Sequence, residues 1–155
     1  MAGLVLQLAP AYPEVAVEVV PGVTAATAGA ALLGAPLTND FAVISLSDRL
    51  TPWQTIVQRL RAAAEADFVL CLYNPASRSR KGYLKRACEV VAPFRAPQTP
   101  CGWARRISRE GEESGVCTFA ALSDLAADMF TTVYIGNSQT RIFEGKLVTP
   151  RGYTL

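Results

Sequence analysis

The run Pro21-Gly22-Val23-Thr24-Ala25 is the first place where residue types in this chain point to a ligand. Pro21 removes a backbone donor, Gly22 admits a positive backbone torsion, and Thr24 carries the side-chain oxygen of a helix N-cap. A strand ending in such a turn and passing into a helix rich in Ala and Gly leaves free backbone N–H groups at the mouth of a sheet. Small-molecule sites in open α/β folds lie there. Three other runs carry similar punctuation: Tyr73-Asn74-Pro75-Ala76-Ser77-Arg78-Ser79-Arg80, Arg106-Ile107-Ser108-Arg109-Glu110-Gly111-Glu112, and Ile135-Gly136-Asn137-Ser138. Arg78, Arg80 and Lys81 make the run after Tyr73 a polar, cationic loop, and Arg105, Arg106 and Arg109 belong to a charged turn, Arg offering a planar bidentate fork.

What is missing narrows the chemistry. The 155 residues include no His, so Ser-His-Asp and Cys-His catalysis and imidazole-held metals lose their usual base or ligand. The four cysteines, Cys71, Cys88, Cys101 and Cys117, form no CxxC pair and read as buried thiols, and no metal is expected. A net charge of +2 without a long basic run argues against duplex nucleic acid as a partner. No apolar run reaches the length of a membrane span and the opening lacks the basic lead of a secretory signal, so no membrane partner and a cytoplasmic location are expected. No Walker or dinucleotide glycine fingerprint is present.

The elements that must position these residues follow from periodicity. Ala2 to Leu8 reads as the last turns of a helix, and Val15, Val17, Val19 and Val20 as a strand covered on both faces. Strands are expected at 41–47, 68–73, 101–104, 114–119 and 132–135, with a closing hairpin over 141–148. Amphipathic helices are expected over 53–66, where Trp53, Ile56, Val57 and Leu60 share a face, and over 83–91. A short helix is expected over 123–129. Trp53 and Trp103 read as packing residues. A valine-rich strand opening from a short helical stub calls for earlier parallel neighbours, so the chain is expected to begin inside a fold.

These motifs together resemble the C-terminal part of the tetrapyrrole methylases, and most specifically the precorrin-3B 17-methyltransferases. The turn Pro21 to Ala25 is shared across the wider superfamily, whereas YNPASRSR, SREGE and YIGNSQTR match the ring-contracting branch; the likeness runs from Met1 to Tyr153. The resemblance implies an α/β tetrapyrrole methylase fold: residues 1–36 as the end of an N-terminal parallel-sheet domain, and 37–155 as a complete mixed-sheet second domain. It implies S-adenosylmethionine as co-substrate, held by Pro21, Thr24, Ala25, Tyr73, Asn74, Ile107, Arg109, Thr131 and Thr132, and a tetrapyrrole held by Ser77, Arg78, Arg80 and Arg106. It also implies a homodimer. The family's glycine- and proline-rich first loop and its acidic cofactor loop do not occur in these residues. The implied reaction moves a methyl group to carbon 17 of precorrin-3B, or of its cobalt-bearing counterpart, with contraction of the macrocycle. A methylase acting at another carbon and a noncatalytic assembly fragment stay open beside it.

Overall fold

The computed structural model describes residues 2–77 and 81–153. Its centre is a five-stranded sheet built from β2 (Phe41–Ser45), β3 (Val69–Tyr73), β4 (Pro100–Arg105), β5 (Glu113–Thr118) and β6 (Thr131–Ile135), in the order β2-β3-β6-β4-β5. Only β2 and β3 run parallel; β6 lies antiparallel to both β3 and β4, and β5 antiparallel to β4. The unbroken apolar run of β3 and the fully buried β6 take inner places, where helices or loops cover both faces.

Strand alternation sorts the side chains into two cores. Leu70, Leu72, Val133 and Ile135 point to one face and meet Ile56 and Leu60 of α3 (Trp53–Glu65), Leu84 and Val91 of α4 (Tyr83–Val91), and Leu122 of the short α5 (Phe119–Leu122). Cys71, Tyr134 and Ala104 point to the other and meet Ala26, Ala30 and Leu33 of α2 (Ala25–Leu33). The small residues of α2 let its backbone approach closely: a Cβ at Gly29 would collide with the Tyr134 hydroxyl. A smaller sheet, in which β1 (Gly34–Ala35) runs parallel to β8 (Lys146–Val148) and β8 pairs with β7 (Arg141–Phe143), ties the end of α2 to the closing hairpin.

Thr24 caps α2 as expected, its Oγ1 accepting from the Thr27 N–H at 3.4 Å. The expected helices over 53–66 and 83–91 and the strands of the main sheet form within a residue or two of their expected limits. Trp53 packs on Tyr83, ring centres 5.0 Å apart, with the Arg86 guanidinium 4.2 Å from its centroid. Two expectations fail. Residues 16–24 form no strand, and Val15, Val19, Val20 and Val23 are exposed. An isolated strand leaves its N–H and C=O groups without partners, and no described strand flanks this segment. The helix expected over 123–129 forms instead at 119–122, because Thr118 caps it by accepting from the Ala121 N–H. Downstream, the Asp128 carboxylate takes the Phe130 N–H at 2.9 Å and the Thr131 hydroxyl at 2.7 Å, which bends 128–131 into a turn.

Candidate functional site

The carboxyl ends of β2 and β3 are latched together at the first element of the site. Leu46 N–H donates to the Tyr73 carbonyl at 2.9 Å, and the Asn74 amide donates to the Ser45 hydroxyl at 3.0 Å. Asn74 adopts a left-handed φ of 54°, which Asn tolerates better than most residues, so the strand stops there and its side chain turns across to β2. The Tyr73 hydroxyl reaches in the other direction and accepts the Ala26 N–H of α2 at 2.7 Å. From below, the buried Tyr134 hydroxyl donates to the carbonyls of Ala25 and Ala26 at 3.0 and 2.8 Å. Two tyrosines from neighbouring strands thus hold the first turn of α2 in place over the sheet.

The charged turn closes the opposite side. Ser108 N–H donates to the Glu112 carboxylate at 2.6 Å, so the turn folds on itself and Glu112 is engaged within it. Arg106 and Ser108 both have left-handed torsions, φ 52° and 57°. Non-glycine residues held there store about 1 kcal/mol or more of strain apiece, a feature that clusters at ligand sites. Arg109 lies over the Phe130 ring at 5.4 Å.

Between these walls lies a pocket of about 250 Å³, bordered by Ala25, Tyr73 and Asn74 on one side, Arg106, Ile107 and Arg109 on another, and the stretch from Met129 to Thr132. Seven of the nine residues implied for the co-substrate, Ala25, Tyr73, Asn74, Ile107, Arg109, Thr131 and Thr132, therefore meet in one concavity. Pro21 and Thr24 lie just before it and do not border it; Thr24 spends its oxygen on the cap. Arg106, implied for the tetrapyrrole, borders this same pocket, whereas Ser77 borders a neighbouring cavity. Arg78 and Arg80 lie outside the described residues. Met129 and Phe130 are additions that the sequence reading lacks. The signal for them is the polar cap Asp128 followed by two exposed large apolar side chains, which the expected helix over 123–129 conceals.

Thr132 adds a polar side chain to this wall. The residue is only 4% exposed, and its side chain makes no hydrogen bond with any other described residue. Thr131 beside it is committed to Asp128. A volume of 250 Å³ is below the roughly 300–1,000 Å³ of whole cofactor sites, so this concavity suits one portion of such a ligand.

Two motifs with ligand-like punctuation do other work. Gly136-Asn137-Ser138 sits at the far end of the sheet, because β6 runs antiparallel to β3 and presents its first residues, not its last, to the pocket. There the Asn137 amide donates to the Asp67 carbonyl at 3.1 Å and the Ser138 hydroxyl to the Asp67 carboxylate at 2.6 Å. Arg105 also serves the fold: it pairs with Glu113 at 3.5 Å, donates to the Ala126 carbonyl and approaches Asp128 at 3.9 Å, its buried Nε making no hydrogen bond among the described residues.

Cys71, Cys88 and Cys101 are buried, as the sequence suggested, while Cys117 is half-buried. Burial pushes the thiols of Cys71 and Cys88 up to about 12 and raises those of Cys101 and Cys117. Thiolate is the reactive form, so burial disfavours reaction at Cys71, Cys88 and Cys101 in the folded protein. Iodoacetamide at mildly alkaline pH is expected to leave Cys71, Cys88 and Cys101 unmodified until denaturant is added, as read by mass spectrometry. Rapid labelling of Cys71 without denaturant would show that its surroundings open.

A sequence profile for Tetrapyrrole (Corrin/Porphyrin) Methylases matches residues 1–123. A probable cobalt-factor III C(17)-methyltransferase of Salmonella typhimurium is 48% identical over all of this chain and 65% of its own length. A protein of the same description from Methanocaldococcus jannaschii is 44% identical over 90% of this chain and 59% of its own length. Among solved structures, that of the methyltransferase CobJ superposes with a TM-score of 0.87 at 36% identity, covering 97% of this chain and 64% of that one. The chain thus spans less than two thirds of the length of these relatives.

Proposed function

Because the chain belongs to the tetrapyrrole (corrin/porphyrin) methylases, we propose that it takes part in S-adenosylmethionine-dependent methyl transfer to carbon 17 of a cobalamin precursor, with contraction of the ring. The carrying observation is the convergence of Ala25, Tyr73, Asn74, Ile107 and Thr132 on one pocket from four separate chain segments. Two relatives bear names that specify cobalt-factor III, which favours the cobalt-bearing form of the acceptor. We also keep the division at residue 36 between a first-domain remnant and a second domain, and a homodimeric assembly, as part of this reading.

When bound, S-adenosylmethionine supplies a methyl group already activated by a positively charged sulfur. The residues on this chain then need to hold, orient and keep dry, and a chain without His is adequate for that. Ile107 and Phe130 offer apolar walls for a purine and a screen against water. Thr132 offers one hydrogen bond at the edge of an otherwise buried residue. Arg106 and Arg109 offer cations for carboxylates of co-substrate or acceptor. No residue is assigned as an acid or base.

Thr132→Val tests this reading. It keeps the shape and removes the hydroxyl, so S-adenosylhomocysteine measured by calorimetry should bind about tenfold more weakly, the worth of one buried hydrogen bond. Methyl transfer to cobalt-factor III, followed as a mass gain of one methyl replacing hydrogen, should fall with it. Equal affinity in the two proteins would remove the pocket from the reading.

A further inference from the structure

Arg105 stands at the end of β4, directly opposite Thr131 of β6, beside the turn that forms one wall of the pocket. Its terminal nitrogens are occupied, one by the Glu113 carboxylate at 3.5 Å and the other by the Ala126 carbonyl. Its Nε is closed to solvent and makes no hydrogen bond among the described residues. A buried donor in that condition carries a desolvation cost and calls for an acceptor. The acceptor at hand is Asp128, whose Oδ2 lies 3.9 Å from Nε, beyond hydrogen-bond range.

Asp128 couples that gap to the pocket. Its Oδ1 accepts the Phe130 N–H and the Thr131 hydroxyl, and the Asp128 N–H donates back to Thr131 Oγ1 at 3.1 Å, so carboxylate and turn move as one body. Met129 and Phe130 carry that turn along the border of the pocket, 61% and 45% exposed, which leaves apolar surface in water beside a concavity. A ligand in the pocket meets these side chains and favours the position of the turn that gives it the most contact. A shift of only about 1 Å brings Oδ2 within hydrogen-bond distance of Nε.

Resting on the methyl-transfer reading above, we propose that Arg105 and Asp128 are positioning residues of the co-substrate pocket. As the pocket fills, the gap between Nε and the carboxylate closes into a charge-assisted hydrogen bond that fixes the Met129-Phe130 wall against the ligand. Neither residue of the pair borders the pocket, so both act through the turn. Arginine suits the task because its N–H groups point in fixed directions: Nε serves Asp128 while the terminal nitrogens hold Glu113 and Ala126. The bond belongs to the liganded protein, and its worth is read in affinity rather than in the stability of the free protein.

The test titrates S-adenosylhomocysteine into the native protein, Asp128→Asn, Arg105→Lys and the double variant, with the urea midpoint of each free protein measured beside it. Asparagine keeps an Oδ1 for the Phe130 N–H and the Thr131 hydroxyl but sets an NH2 group against Nε, donor against donor. Asp128→Asn should therefore bind about tenfold more weakly, the worth of one charge-assisted hydrogen bond, with its urea midpoint close to the native one. Arg105→Lys should show a similar loss, and the double variant should bind no more weakly than the weaker single variant. Saturation with S-adenosylhomocysteine should slow amide exchange over residues 128–132 in the native protein and much less in Asp128→Asn. Equal affinity in native protein and Asp128→Asn overturns the positioning role and leaves the methyl-transfer reading standing. Affinity losses that add in the double variant, or that follow a lowered urea midpoint, also overturn it, because the two residues would then act through the fold. A native protein that does not bind S-adenosylhomocysteine overturns both.

Discussion

Replacing Arg95 with Met is expected to cost the folded state about 3–5 kcal/mol, the range for removing one partner of a buried charged cluster. The side chain is 2% exposed and sits at the end of the sheet away from the pocket. Its Nε donates to the Gly136 carbonyl at 2.8 Å, one terminal nitrogen to the carbonyls of Ala64 and Phe94 at 2.9 and 2.8 Å, and the other to the Phe68 carbonyl at 2.8 Å. Those carbonyls come from the end of α3, the approach to β3, the exit of β6 and the turn before Arg95 itself, so one planar fork fastens four chain segments. Burial lowers the guanidinium from its usual range while Asp67, 3.4 Å away, acts against that. Methionine fills the volume but removes the guanidinium donors from the carbonyls of Phe68, Phe94 and Gly136, each such loss carrying a penalty of about 1–3 kcal/mol, while the Ala64 carbonyl keeps the Asp67 N–H. The measurement is the urea midpoint with the slope of the transition, and Arg95→Lys should recover only part of the loss, since an ammonium cannot reach three directions in one plane. A loss below about 1 kcal/mol in Arg95→Met would mean that water reaches these carbonyls.

Gly29→Ala is expected to destabilise by about 1–3 kcal/mol, the usual cost of overpacking, in spite of a helix propensity gain near 1 kcal/mol. The new methyl would run into the Tyr134 hydroxyl oxygen and stand 2.9 Å from Ile107 Cδ1 and 3.2 Å from Ala104 Cβ. Relief requires α2 to lift from the sheet or the Tyr134 ring to retreat, and either motion breaks the bonds from Tyr134 to Ala25 and Ala26. Ala25 and Ile107 both border the pocket, so S-adenosylhomocysteine affinity should fall together with stability. The diagnostic is a double-mutant cycle. Tyr134→Phe alone removes the donor and costs about 1 kcal/mol, but in that background the Gly29→Ala clash with oxygen is gone, so the pair should be less damaging than the sum by about 1 kcal/mol or more. Strict additivity would show that the methyl is accommodated without touching Tyr134.

Much of the pocket is legible in residue order because the features involved are local. Thr24 followed by Ala-rich sequence specifies a cap and a helix whatever surrounds it, and Asn74-Pro75 ends a strand because Asn tolerates a left-handed torsion and Pro brings no ladder donor. The uninterrupted apolar run at 69–73 announces a strand buried on both faces, and the 3.6-residue spacing of 53–65 and 83–91 announces which faces their helices bury. The error at 123–129 is also local in origin: the capping threonine lies five residues upstream of the expected helix, and Asp128 prefers to close a turn.

The sequence by itself determined the caps, turns, strand cores and amphipathic faces of this protein, because those depend on torsions and spacing within a few residues. Tertiary structure alone decided which ends of those strands share a pocket. The antiparallel placement of β6 brought Thr131 and Thr132 to Tyr73 and Asn74 and carried Gly136-Asn137-Ser138 to the Arg95 cluster at the other end. It also decided the state of Val15 to Val20, whose composition suits a strand but whose backbone groups need a neighbour that no composition can supply. Direction within a sheet and the presence of a partner strand are properties of pairs of distant segments, and a periodicity read along one segment contains no term for them.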